Sequence, residues 1–219
     1  MSASAQALRD EPRWAPMVAI LSVFGLLAVL PHHVYVMPAW VSYGVVLAAL
    51  IPMAVVTFRN GNILWLRIER AAIMLLATVY AANTAAELAD MIGIITLHPP
   101  ETRAVSLLSS SLAIWVTNVL TFSLIYWQID RGGPYGQVRG ANQKPDWLFP
   151  QATAPEETSP DWRPLFLDYL SLAYNMAAGF SPADVLPLTR RAKMLTMLES
   201  GISLLTLVIV AARAVNVLP

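Results

Sequence analysis

Five long apolar runs, near residues 15–31, 39–58, 71–97, 104–128 and 194–217, constrain this chain more than any other feature. A bilayer's hydrocarbon core is about 30 Å thick, and a helix needs roughly 20 apolar residues to cross it. Lipid offers no partner to backbone N–H and C=O groups, so a spanning segment of this kind must be helical. The expected fold is therefore all-α, an integral membrane helical bundle of about five transmembrane helices. Composition agrees: 57% of the residues are hydrophobic and 13% charged, where a soluble domain carries about a quarter charged residues. The first run ends at Pro31-His32-His33 without a small-residue cleavage site, so it is read as a retained helix and not a signal peptide. The expected location is the cell membrane, in a multi-pass arrangement with the lipid bilayer as partner.

Several functions are excluded or left without support. Fourteen basic residues balance fourteen acidic ones, so no nucleic-acid partner is expected. Cysteine is absent, which rules out disulfides, thiolate metal sites and thiol nucleophiles. No phosphate-binding glycine loop, His-Glu-x-x-His or Gly-x-Ser-x-Gly motif occurs, so neither enzyme activity nor a cofactor is expected. His32 and His33 lack a third ligand nearby and are read as a lipid-interface pair, with no metal site.

The chain divides into a four-helix membrane region with a short N-terminal tail (1–128), a polar linker (129–163) and a C-terminal segment (164–219). Within the first region, residues 63–70 mix aromatic, aliphatic and basic side chains and are expected to lie along the membrane surface. The linker is rich in Gly, Pro, Gln and charge, too little apolar surface to order itself alone. Short loops rich in Lys and Arg stay cytoplasmic. With the N-terminus inside, Arg59, Arg67, Arg70, Arg131, Arg139, Lys144, Arg190, Arg191 and Lys193 all fall on the cytoplasmic side.

The C-terminal segment carries the functional argument. Residues 164–180 are helical in propensity but short for a span, and Asp168 and Asn175 interrupt their apolar character. Ser181-Pro182-Ala183-Asp184 follows, then a basic cluster, then the last long apolar helix. This order fits a re-entrant, pore-helix-like segment and loop, because irregular backbone at membrane depth survives only against protein or a water-filled cavity. An amphipathic helix lying flat in the interface is the alternative.

An aromatic-rich short helix, Asp184 three residues before Pro187, and a last helix opening Met197-Leu198-Glu199-Ser200 and closing Ala211-Ala212-Arg213 resemble the pore domain of two-helix potassium channels. The resemblance covers residues 164–219. It implies a homo-oligomer, a tetramer in that family, passing inorganic ions through a loop built from Gly179, Phe180, Ser181, Pro182, Ala183 and Asp184. The family's filter is Thr-Val-Gly-Tyr-Gly, whose carbonyls replace an ion's hydration shell. Here Pro182 fixes its own backbone and Ala183 lacks glycine's freedom, so potassium selectivity is not implied. That family's loop enters from outside, whereas the basic residues put this one inside, so either the hairpin is inverted, resembling that of ionotropic glutamate receptors in orientation, or the charge rule fails here; inversion is the favoured reading. The whole chain also resembles an uncharacterised bacterial integral-membrane family with a domain of unknown function. The shared patterns are Tyr126-Trp127-Gln128-Ile129-Asp130-Arg131-Gly132-Gly133-Pro134, Pro145-Asp146-Trp147-Leu148-Phe149-Pro150 and Phe180-Ser181-Pro182-Ala183-Asp184.

Polar residues inside the apolar runs supply the remaining candidates. Asn83, Glu87 and Asp90 share one helix face, as a proton or cation relay would require, or as carboxylates wetted at the outer mouth. Ser109, Ser110, Ser111, Thr117 and Asn118 suit interhelical hydrogen bonding. Glu199 and Ser203 share a face near the loop, where Glu199 would brace it or pair with Arg190 or Arg191, and Asn175 stands on the short helix before it. The leading expectation is an ion-channel-like protein. A small proton-coupled transporter using Glu87 and Asp90, and a non-conducting membrane scaffold, are the alternatives.

Overall fold

The computed structural model describes residues 13–29, 39–58, 63–97, 104–138, 144–154, 156–159 and 162–217. The protein is predominantly helical. Its elements are α1 (Trp14–Val29), α2 (Ala39–Phe58), α3 (Ile63–Leu97), α4 (Ala104–Ile129), a 3-10 turn (Asp130–Gly132), α5 (Gly133–Val138), β1 (Trp147–Leu148), α6 (Phe166–Gly179), β2 (Leu186–Pro187) and α7 (Arg190–Val217). Three stretches are long and apolar enough to cross a membrane, Ile63–Ala89, Ser109–Gly136 and Arg190–Ala211, and Trp14–Leu26 and Tyr43–Phe58 are shorter apolar helices.

The central element is α4, which packs against α1, α3, α6 and α7. Its faces are assigned by sequence spacing. Trp115, Trp127 and Asp130 point toward α6, and Asn118 and Tyr126 toward α7. With α1 and α3 closing the other side, most of α4 is inaccessible to solvent or lipid. The outward faces of α1, α2 and α7 instead expose large apolar side chains, among them Leu21, Leu47, Ile51, Leu204 and Val208, as a lipid-facing surface does.

Residues 63–70 do not lie apart on a surface, because they are the first turns of the continuous helix α3. Their charges find partners inside the protein. Arg13 Nε donates to Glu69 Oε1 at 3.2 Å with both side chains buried, and Arg70 donates to the carbonyl of Gly132 at 2.6 Å. With Glu69 and Arg70 paired and no proline between 63 and 97, nothing breaks the helix.

Within the stretch read as a polar linker, residues 144–150 are ordered against the bundle. Trp147 is fully buried and Phe149 nearly so. Trp147 lies against Tyr126 with ring centroids 4.8 Å apart, and Phe149 meets Tyr169 edge-on at 5.4 Å. The stretch borrows its core from α4 and α6. β1 then pairs antiparallel with β2, Trp147 opposite Pro187 and Leu148 opposite Leu186, which ties this stretch to the chain just before α7.

Candidate functional site

The end of the bundle where α4 finishes, here termed the base, is built on two buried carboxylates. Asp130, at the end of α4, accepts from Tyr169 Oη at 2.7 Å and from the backbone N–H of Asp146 at 2.7 Å. Asp146 accepts from the Thr189 hydroxyl at 2.5 Å and from Arg191 Nε and Nη2 at 2.6 and 2.5 Å, and its carbonyl accepts from Leu188 N–H at 2.8 Å. Charge-assisted, two-pronged pairing of this kind fixes both position and orientation. It joins the end of α4, the ordered stretch 144–150, the start of α6 and the start of α7 at one place.

From that base α6 rises along α4. Asp168 does not interrupt the helix but starts it, accepting from the Leu165 backbone N–H at 2.7 Å and so satisfying a donor the helix leaves open. Fourteen residues carry α6 about 21 Å, to where Trp115 Nε1 donates to the Ala177 carbonyl at 3.3 Å and Ser200 Oγ to the Met176 carbonyl at 3.2 Å. Trp115 stands fifteen residues before Asp130 on α4, about 22 Å up the same helix. α6 thus runs antiparallel to α4 from the base into the body of the bundle. Phe180, at φ 52°, ends it in a left-handed cap. The chain then returns through 181–185 to pair at β2 beside the base, and α7 sets out again in the direction α6 took.

The turn of this hairpin is open. Gly179, Phe180, Ser181, Ala183 and Asp184 are exposed and Pro182 is half-buried, and a side chain added at Gly179 would meet nothing within 4 Å. The loop's hydrogen bonds are internal, Val185 N–H to the Pro182 carbonyl at 3.1 Å and Ala183 N–H to Ser181 Oγ at 3.3 Å. Ala183 is held at φ 56°, a conformation that costs an L-residue roughly 1–2 kcal/mol. Strained backbone of this kind clusters at functional sites.

The other candidates are not gathered at the loop. Glu199 and Ser203 are fully buried and face α4: Tyr126 Oη donates to Glu199 Oε2, and Asn118 Nδ2 donates to Ser203 Oγ at 2.9 Å and to the Glu199 carbonyl at 3.2 Å. Glu199 neither braces the loop amides nor pairs with Arg191, whose partner is Asp146. Asn175 is half-buried on α6. Glu87 is buried on α3 and accepts from Asn83 Nδ2 at 2.7 Å, so it lies inside the bundle and not at a wetted mouth. The side chain of Asp90 lies outside the described residues, as do His32 and His33. Of the residues that hold the hairpin, Asp130 and Asp146 lie in the Tyr126–Pro134 and Pro145–Pro150 patterns, and Arg191 in the basic cluster before α7, but nothing in the sequence links them to one another or to Tyr169.

Comparison with protein-family models, with curated proteins and with solved structures gives no match to this chain.

Proposed function

We propose that the protein is an ion-channel-like, multi-pass protein of the cell membrane with five spanning helices, in which residues 179–184 of several copies line a constriction. The observation that carries this reading is the course of the chain at the base. α6 leaves the base, breaks inside the bundle, and the following loop returns to pair at β2 before α7 crosses. A helix that enters and a loop that leaves by the same side is the arrangement a pore hairpin requires. The open loop supports it, since irregular backbone at membrane depth needs protein or water against it. A single hairpin cannot enclose a passage, so the reading requires a closed symmetric oligomer, four-fold if the resemblance to two-helix potassium channels holds. Arg67, Arg190 and Lys193 are exposed near the base, which marks it as the cytoplasmic side under the positive-inside rule.

Reconstitution into liposomes tests the proposal. Flux of potassium, sodium or chloride is expected from the wild type, and at least a tenfold fall, about 1.4 kcal/mol in the barrier, in the combined variant Ser181→Ala, Pro182→Ala and Asp184→Ala. Absence of flux for every ion, or a strictly monomeric protein in nanodiscs, would favour a non-conducting scaffold instead.

A further inference from the structure

The bundle formed by α1 to α4 contains polar groups that the hairpin does not use. On α4, Thr117, Thr121 and Gln128 recur at i, i+4 and i+11, one face of a helix. That face lies opposite the one Trp115, Trp127 and Asp130 turn toward α6, so it points into the space between α1 and α3. On α3, Glu69, Tyr80, Asn83 and Glu87 share a face as well, and the pairing of Glu69 with Arg13 directs it toward α1. α4 packs along both α3 and α1, so the two faces border the same interior.

Their polar atoms are buried without protein partners among the described residues: Tyr80 Oη, Asn83 Oδ1, Thr117 Oγ1, Thr121 Oγ1, and both Gln128 Oε1 and Nε2. Each residue is at most 6% exposed. The threonines are the sharpest case. A helical threonine usually donates to the carbonyl one turn back, as Thr57, Thr78 and Thr206 do here at 2.8 Å. Thr117 and Thr121 forgo that bond. A buried polar atom left unpaired costs about 1–3 kcal/mol, and native proteins meet such groups with ordered water, which makes about three hydrogen bonds of its own.

We infer that each copy holds a file of water along this seam, from Gln128 at the base to Glu87, and that the file carries protons to and from Glu87. Glu87 stands about 26 Å along α3 from Arg70 at the base and so exchanges its proton with the far interface of a core about 30 Å thick. The spacing supports a continuous file: Gln128 to Thr121 and Thr121 to Thr117 are about 10 and 6 Å along α4, and Tyr80 to Glu87 is about 10 Å along α3. Proton hopping along hydrogen-bonded water makes and breaks only O–H bonds, and Glu87 can accept and release the proton. Among the described residues, the charged and titratable groups on the seam's faces are Arg13 from the start of α1 and Glu69, Tyr80 and Glu87 from α3. α4 contributes only hydroxyls and an amide on this face, and Tyr43, the ionisable side chain of α2, is exposed. This pathway lies within one copy and is separate from a constriction between copies.

Liposomes containing a trapped pH dye, driven by a valinomycin-set potassium potential, test the inference with four variants. Wild-type protein is expected to pass protons above empty vesicles. Gln128→Leu and the double variant Thr117→Val with Thr121→Val each reduce that flux at least tenfold, while Thr117→Ser with Thr121→Ser, which keeps both hydroxyls, retains it. The combined loop variant (Ser181→Ala, Pro182→Ala, Asp184→Ala) also retains proton flux. No proton flux in wild-type vesicles, unchanged flux in the Val and Leu variants, or loss in the Ser variant would overturn the inference. A higher melting temperature in the Val variant would also overturn it, since dry, unpaired hydroxyls gain by removal and hydrated ones do not. Proton flux lost together with metal-ion flux in the loop variant would overturn the seam and leave the constriction standing. Proton flux without flux of potassium, sodium or chloride would leave the seam standing and remove the constriction.

Discussion

Trp147→Ala is expected to destabilise the protein by about 3–5 kcal/mol, the usual cost of truncating a large buried aromatic side chain. Trp147 is wholly inaccessible and packs at a tilt against Tyr126, and its Nε1 has no hydrogen-bond partner among the described residues, so its contribution is packing. The tryptophan fills the space between α4 and the ordered stretch 144–150, and its backbone forms half of the β1–β2 pairing that returns the hairpin loop to the base. A lower thermal midpoint in detergent, with Trp147→Phe losing markedly less, is the expected measurement. A loss below about 1 kcal/mol, the range of ordinary surface substitutions and slightly beyond, would show that this stretch does not hold the loop.

Arg191→Ala is expected to cost about 1–3 kcal/mol, because it takes two charge-assisted hydrogen bonds from a buried carboxylate. Asp146 is 0% exposed whereas the Arg191 side chain is 55% exposed. The asymmetry decides which single change is worse. Removing the arginine leaves a buried charge with Thr189 as its remaining side-chain donor, while removing the aspartate lets the arginine turn to water. The double variant Asp146→Ala with Arg191→Ala should therefore be more stable than Arg191→Ala alone. Paired groups of this kind show coupling of about 0.5–3 kcal/mol, which a double-mutant cycle on thermal midpoints measures. Additive effects would mean that the pair does not clamp the base.

What the sequence makes legible follows from which interactions are local. Apolar runs at 39–58 and 104–128 anticipate α2 (Ala39–Phe58) and α4 (Ala104–Ile129) closely, because length and hydrophobicity alone decide a helix in lipid. The short helix expected over 164–180 is α6 (Phe166–Gly179) for the same reason. Residues 63–70 read differently, since their charges look interfacial until Glu69 meets Arg13, 56 positions away, and Arg70 meets the Gly132 carbonyl, 62 away. Long-range pairs leave no periodicity to detect.

The hairpin's supports are hidden by the same logic. Asp130 and Asp146 look like charges in a soluble linker, yet Tyr169, 39 residues along, and Arg191, 45 residues along, bury them. Two-residue strands such as Trp147–Leu148 and Leu186–Pro187 are too short for alternation to register. Glu199 is the converse case. It lies near the loop in sequence, but its position on α7 turns it toward Tyr126, since a helix face, not proximity along the chain, selects a side chain's neighbours. Glu87 and Asn83 show their common face in the sequence, whereas the burial that makes them part of an internal seam depends on α1 and α4.

In the proposed channel, residues 179–184 enter the membrane from the base and line a passage between copies. The absence of native cysteine makes the test clean, because a single introduced thiol is the only one present. The most direct measurement is thiol modification of Asp184→Cys in oriented proteoliposomes during flux recording. The account predicts that a membrane-impermeant, charged thiol reagent added on the base side reacts and blocks ion flux, and that oxidation links copies through this position. No reaction from the base side, or full modification with flux unchanged, would contradict it.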